Sequence, residues 1–237
     1  MDNRKKAKIY LIISIISGGI CILSWVLWAY FIFQGMLFQY KNLSFIIFIS
    51  FGIGGFIASL ASNQYKKLHA GIVGEDETTD MLLSLPHTYK VLSNISIEHN
   101  GKKSEIDSLV ISPRGICIIE TKNYSGTLYG HEEDNEWIQK KTSRGGNIYE
   151  KSIRNPIKQA KRQAYILSGL LKDKLHIHCW IDTYVFLVSA ESMISSSQVL
   201  TDKKDLLYEI QEVSGKENAL NDNQIQKMID YFYSQSE

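Results

Sequence analysis

Residues 116–119 are apolar and are followed at once by Glu120, Thr121 and Lys122, a carboxylate and an ammonium two residues apart. In a strand that spacing places Glu120 and Lys122 on one face, in line with Ile116 and Ile118. Burying such a pair without purpose costs several kcal/mol per ion, so an isolated pair is expected simply to emerge into solvent at the strand end. This one is not isolated. Asp107, in Ser104-Glu105-Ile106-Asp107, precedes a second apolar run at residues 109–111. A short hairpin pairing the two strands sets Asp107 close to Glu120. Two converging carboxylates repel unless a cation lies between them, and all-oxygen ligands favour a hard ion, Mg2+ or Mn2+. Lys122 can then hold a hydrolytic water or offset charge on a phosphate.

The elements that must position these groups alternate along the chain. Residues 71–85 read as a helix, with Glu75, Thr78, Thr79, Leu82 and Leu83 near one face and Pro86 just beyond its end. Strand-like runs at 89–97, 104–112 and 115–122, with turns at Asn100-Gly101 and Pro113-Arg114, predict an antiparallel meander. A polar stretch containing Trp137 and Gly145-Gly146 separates them from a helix over 155–171, with Pro156 in its first turn. Its stripe Ile157, Ala160, Ala164, Leu167 and Leu171 faces the core. A strand at 184–188, reaching back towards 177, and helices at 203–213 and 223–233 complete the order. No internal repeat is evident.

Residues 139–174 carry ten basic residues, Lys140, Lys141, Arg144, Lys151, Arg154, Lys158, Lys161, Arg162, Lys172 and Lys174, against Glu150 and Asp173. Arg154, Lys158, Lys161 and Arg162 share a helical face that could follow a phosphate backbone. A solvated face, or one meeting anionic lipid, accounts for the composition equally well. The neighbouring acid cluster favours nucleic acid.

The chain has 237 residues and a net charge of +1, which excludes a strongly acidic or basic disordered protein. Residues 9–33 carry no charge, and as a helix they measure about 37 Å against a hydrocarbon core of about 30 Å. Residues 43–61 are likewise uncharged, which predicts a membrane hairpin closed by an external loop at 34–42. The first run exceeds a signal peptide's apolar core and a second span follows it, so the expectation is an uncleaved anchor in the cell membrane. Basic residues before the first span, with Lys66 and Lys67 after the second, place both termini in the cytoplasm. Trp25, Trp28, Tyr30 and Tyr40 suit the outer headgroup zone, while Ser14, Gly18 and Gly19 facing Gly52, Gly54, Gly55 and Ser59 permit close helix approach. No ionisable residue lies within either span, which favours a tether over a transporter. Three cysteines without a CxxC motif fit a reducing compartment. The expected divisions are a basic cytoplasmic terminus (1–8), the spans and loop, a juxtamembrane linker (62–70), a nuclease-like domain (71–190) and a helical extension of it (191–237).

Five features recur in order: Gly71-Ile72-Val73-Gly74-Glu75, Glu105-Ile106-Asp107, Gly115 through Glu120-Thr121-Lys122, the Gly126 to Gly130 segment with Trp137, and Asn155-Pro156-Ile157-Lys158-Gln159. In that order and spacing the chain resembles the nuclease-related domain (NERD) family, a branch of the PD-(D/E)XK nuclease superfamily. The resemblance implies an α/β, restriction-endonuclease-like fold, a central mixed sheet flanked by helices, here preceded by the transmembrane helical hairpin. It implies a metal-dependent nuclease using Mg2+ or Mn2+. Asp107, Glu120 and the Thr121 carbonyl would be metal ligands, Glu75 would reach the site directly or through water, Lys122 would position the attacking water, and Gln159 would stabilise the site or contact phosphate. Nucleic acid, with DNA as first choice, and the lipid bilayer are the expected partners; protein partners are not indicated. A non-catalytic module holding nucleic acid or a partner at the membrane is the alternative.

Overall fold

The computed structural model describes residues 3–143, 145–216 and 219–235; Arg144, one of the ten basic residues above, lies outside them. The chain divides into two compact units, residues 1–73 and 74–237.

In the first unit, α1 (Asn3–Phe33) and the start of α2 (Lys41–Leu82) are both long and apolar enough to cross a membrane. α2 is continuous through residues 62–70, the segment expected to be a linker. The hairpin closes through hydroxyls as much as glycines: Ser24 and Ser50 share a hydrogen bond of 2.7 Å, and the Ser14 hydroxyl donates to the Ala58 carbonyl at 3.4 Å. Gly54 meets Ser17 and Cys21, whereas Gly18, Gly19 and Gly52 face open space and do not serve the close approach expected of them.

The second unit is mixed α/β. β1 (Lys90–His99), β2 (Lys102–Ser112) and β3 (Gly115–Lys122) form the expected antiparallel meander. The two-residue turn Asn100-Gly101 has φ of 48° and 72°, the doubly left-handed bend that matches strand twist and that Asn-Gly tolerates. β7 (Ile181–Leu187) pairs parallel to β3, and β9 (Val199–Leu200) parallel to β7, giving the order β1-β2-β3-β7-β9. A second sheet, β6-β5-β4-β8, was not expected. It comprises β4 (Thr127–Tyr129), β5 (Glu136–Thr142), β6 (Ile148–Arg154) and β8 (Glu191–Ser192). β4, β5 and β6 fall in the stretch that reads as polar, because β6 buries only Ile153 and β5 only Trp137 and Gln139. An edge strand exposed on both faces leaves no alternation to read.

α3 (Pro156–Leu170) packs Ile166, Leu167 and Leu170 on the central sheet beside Ile116 and Ile118, joined by Ile225, Met228 and Phe232 of α5 (Asp222–Ser234). The opposite sheet face carries Val110, Cys117 and Ile119 against Leu82 of α2 and Leu206 of α4 (Lys203–Tyr208). The helix expected over 155–171 thus ends at Leu170 and passes into a π turn at Leu171–Leu175, and a second π turn at Glu209–Val213 follows α4.

Candidate functional site

Glu120 lies on the α3 face of β3, continuing the line of Ile116 and Ile118, and is fully buried. Its carboxylate is satisfied from two directions. Lys122 Nζ pairs with Oε1, and Gln163 Nε2 donates to Oε2 at 2.7 Å. The same amide group donates to the Glu105 carbonyl of β2, also at 2.7 Å.

Asp107 reaches this place by a break in strand regularity. β2 and β3 pair from Ser112↔Gly115 to Ser108↔Ile119 and no further, although both strands continue. On its other side β2 pairs with β1 at Ser93↔Ser108 and Ile95↔Ile106, skipping the step that contains Asp107 and Asn94, which has φ of 55°. Ile106 and Leu109, three residues apart, consequently bury in one core cluster, so the side-chain alternation slips at Asp107. Irregularities of this kind re-aim a side chain. Asp107 Oδ2 accepts from the Thr121 amide at 2.9 Å, taking the place of the strand bond that ends there. A strand residue's N–H and C=O lie on the same edge, so the Thr121 carbonyl also faces the opening between β2 and β3.

The charges are strongly coupled. Burial, then repulsion from Glu120, pushes the Asp107 carboxyl from its ordinary 3.8 up to about 8, against the opposing pull of Lys122 and the Thr121 amide. Burial alone would lower the Lys122 pKa, but Glu120 and Asp107 outweigh it and hold the ammonium above its usual range. Lys122 is therefore a permanent cation and donor. Glu75, on α2, contributes a further negative field at Asp107. Its helix comes close because Gly74 is buried without a side chain: a Cβ there would lie 2.9 Å from Asn123 Cβ and 3.3 Å from Val188 Cγ2.

The structure thus brings together Asp107, Glu120, Thr121 and Lys122, with Glu75 within electrostatic reach. It does not bring Gln159. That side chain is exposed, one turn nearer the α3 N-terminus, where it lines an open groove instead of overlying β3. Gln163, not Gln159, stands beside Glu120, while Gln159 lies with the groove's basic residues, the setting for the other role expected of it, a phosphate contact. The signal was present, since Gln163 interrupts the apolar stripe between Ala160 and Leu167, where a polar side chain must find a buried partner.

Of the four basic residues on the expected phosphate-tracking face, Arg154, Lys158 and Arg162 line that groove of about 610 Å³ together with Ser104 and Glu136. Lys161 does not; it pairs with Glu132 at 2.7 Å. Lys161 lies about 60° from Lys158 and 100° from Arg162 around the helix, which turns it towards the loop before β5. That loop is held by Asn155, whose amide donates to the Glu132 and Asp134 carbonyls at 2.9 and 2.8 Å while its Oδ1 caps α3 at Ile157 N.

Among the described residues no three His, Cys, Asp or Glu side chains converge as a ready cation cage. The local donor set is two carboxylates and a carbonyl. All are oxygens, which suits a hard divalent ion, and the unfavourable Asp107–Glu120 proximity is what such an ion would relieve. The buried Gln163 Oε1, on the amide that holds Glu120, also lacks a hydrogen-bond partner, leaving a further oxygen acceptor beside that carboxylate.

The nuclease-related domain family profile matches residues 70–188. An uncharacterised protein of Bacillus anthracis is 33% identical over 121 residues, covering 48% of this chain and 54% of that protein. A probable kinase, PglW, of Streptomyces coelicolor is 31% identical over 94 residues, 39% of this chain and 6% of that protein. The chain therefore spans about half of the first relative's length and a small part of the second's. No solved structure matches significantly.

Proposed function

Because the chain belongs to the nuclease-related domain family, we propose that it is a divalent-metal-dependent nuclease that hydrolyses phosphodiester bonds, with DNA as the first-choice substrate. The observation that carries this reading is the opening between β2 and β3, where Asp107 and Glu120 meet beside a permanently charged Lys122. A stability-driven sheet would close that gap with strand bonds and apolar side chains.

Asp107, Glu120 and the Thr121 carbonyl would hold the ion, with Glu75 contributing negative field. When bound, Mg2+ or Mn2+ would supply charge stabilisation at a phosphoryl oxygen and a more acidic water. The chain's own groups do the rest. Gln163 fixes Glu120 through Oε2. Lys122, kept protonated by its two acidic neighbours, orients a water or a phosphate oxygen and offsets charge building on the phosphate. Arg154, Lys158 and Arg162 hold the adjoining backbone in the groove. Asp107, neutral near pH 7 in the absence of an ion, must give up its proton when one binds, which couples binding to pH.

The two apolar helices anchor the protein in the cell membrane, with both termini and the nuclease unit cytoplasmic, as the flanking basic residues direct. The separateness of the basic groove favours a second reading, a tethered nucleic-acid-binding module without cleavage. The full-length chain in detergent, given labelled DNA and RNA with Mg2+, Mn2+ or chelator, separates them. Metal-dependent cleavage lost in folded Asp107→Ala, Glu120→Ala and Lys122→Ala variants supports the nuclease; binding without cleavage under all conditions supports the module.

A further inference from the structure

We propose that the outer face of α3, with the start of β2, forms a track for single-stranded nucleic acid in which a base stacks on Tyr165. The inference rests on the nuclease reading and narrows its substrate to a strand with unpaired bases.

Lys158, Arg162 and Tyr165 follow one another at spacings of four and three, so they form a single line along α3 about 10 Å long. Lys158 and Arg162 line the groove with Arg154, three cations against the single acid Glu136. Such a surplus suits a polyanion. The Arg162 guanidinium donates to the Lys103 carbonyl at 3.2 Å, which ties the start of β2 to the helix. Beyond it Lys102 Nζ stands 4.8 Å from the centre of the Tyr165 ring.

Tyr165 is 65% exposed although the next two residues of the helix, Ile166 and Leu167, are completely buried. The ring is thus a rigid aromatic surface left in water on a well-anchored helix, one face beside a cation and the rest open. An acidic peptide or an anionic membrane would use the cations and gain nothing specific from the ring. A duplex would offer phosphates but keep its base faces stacked inside. A single strand uses both, backbone on Lys158 and Arg162 and base on Tyr165. The groove shares no lining residue with the carboxylate site, but chain neighbours link the two: Arg162 precedes Gln163, which bonds Glu120, and Ser104 in the groove wall precedes Glu105, whose carbonyl Gln163 also bonds.

The test uses the full-length chain in detergent, with chelator and Asp107→Asn to prevent cleavage. Fluorescence anisotropy compares a labelled oligothymidylate, an abasic strand of equal length and a duplex. Tyr165→Ala should raise the oligothymidylate Kd about tenfold, which is about 1.4 kcal/mol and within the range for one base on one ring, with Tyr165→Trp restoring it. The abasic strand should bind more weakly and ignore Tyr165→Ala, while Lys158→Ala and Arg162→Ala weaken both strands and flatten the salt dependence. Equal binding of thymidylate and abasic strands, or tighter binding of the duplex, overturns the inference while leaving the nuclease reading intact. Absence of binding to any nucleic acid by folded protein overturns both.

Discussion

Replacing Asp107 by Asn should stabilise the cation-free protein at neutral and alkaline pH, although it removes a charged group from the centre of the site. The carboxyl titrates at about 8 when folded against an ordinary 3.8. A group whose folded pKa is raised is tolerated best below its unfolded value, and the stability associated with its proton is lost as pH climbs towards the folded value. The window here is therefore roughly pH 4 to 8. At about 1.4 kcal/mol per pKa unit the full difference is about 5–6 kcal/mol. The side chain is partly exposed, and solvent screening reduces this to about 2–3 kcal/mol. Asn keeps the shape and an oxygen able to accept from the Thr121 amide, so the charge is the main change. Hydrogen exchange of β3 peptides in the full-length protein, with chelator and corrected for intrinsic rates, reads the local opening free energy. At pH 8.5 the variant's β3 amides should be protected about 30- to 140-fold more than the wild type's, converging as pH falls towards 4. Mg2+ or Mn2+ at pH 8 should raise protection in the wild type and much less in the variant. Equal protection across the range, or a less protected variant at pH 8.5, refutes the electrostatic account of the site.

Gln163→Leu should remove the buried donor to Glu120, costing about 1.5–3 kcal/mol and weakening Mn2+ binding measured by titration calorimetry. Gln159→Leu should leave Mn2+ affinity unchanged; equal effects would show that the two glutamines were assigned wrongly. Gly74→Ala should force α2 away from Asn123 and Val188, lowering thermal stability by about 1–3 kcal/mol and reducing cleavage through loss of Glu75's approach; an unaltered melting curve would count against it. Asn155→Ala, losing the α3 cap and two carbonyl contacts, should cost about 2–4 kcal/mol, seen as faster proteolysis at residues 131–135, and unchanged cleavage there would contradict its role.

Much of the unit was legible because it is encoded by near neighbours. Asn100-Gly101 specifies its own turn through φ values its side chains allow, and the apolar run before Glu120 reads as a buried strand from residues 116–119 alone. The length and lack of charge of residues 9–33 and 43–61 likewise suffice to make helices fit for a membrane. Even the meeting of Asp107 and Glu120 follows from a short hairpin, to the extent that they share one end of it. The second sheet was illegible for the opposite reason: β6 is exposed on both faces, so its strand character comes from the hydrogen bonds of β5 and leaves no periodic trace.

The choice between Gln159 and Gln163 belongs to the tertiary structure. Both stand on the same helix one turn apart, and only the height at which α3 crosses β3 decides which amide reaches Glu120, 43 residues distant in sequence from Gln163. The slip at Asp107 is of the same kind, since it needs the left-handed Asn94 on one neighbouring strand and the departing Thr121 on the other. Sequence by itself determined which residue types were available, how they alternate and where the chain turns, because those depend on bonds and sterics within a few residues. Where β2 and β3 part, and which charges are buried together in the opening, were decided only when three strands and a helix packed, because desolvation and Coulomb energy depend on distance through space.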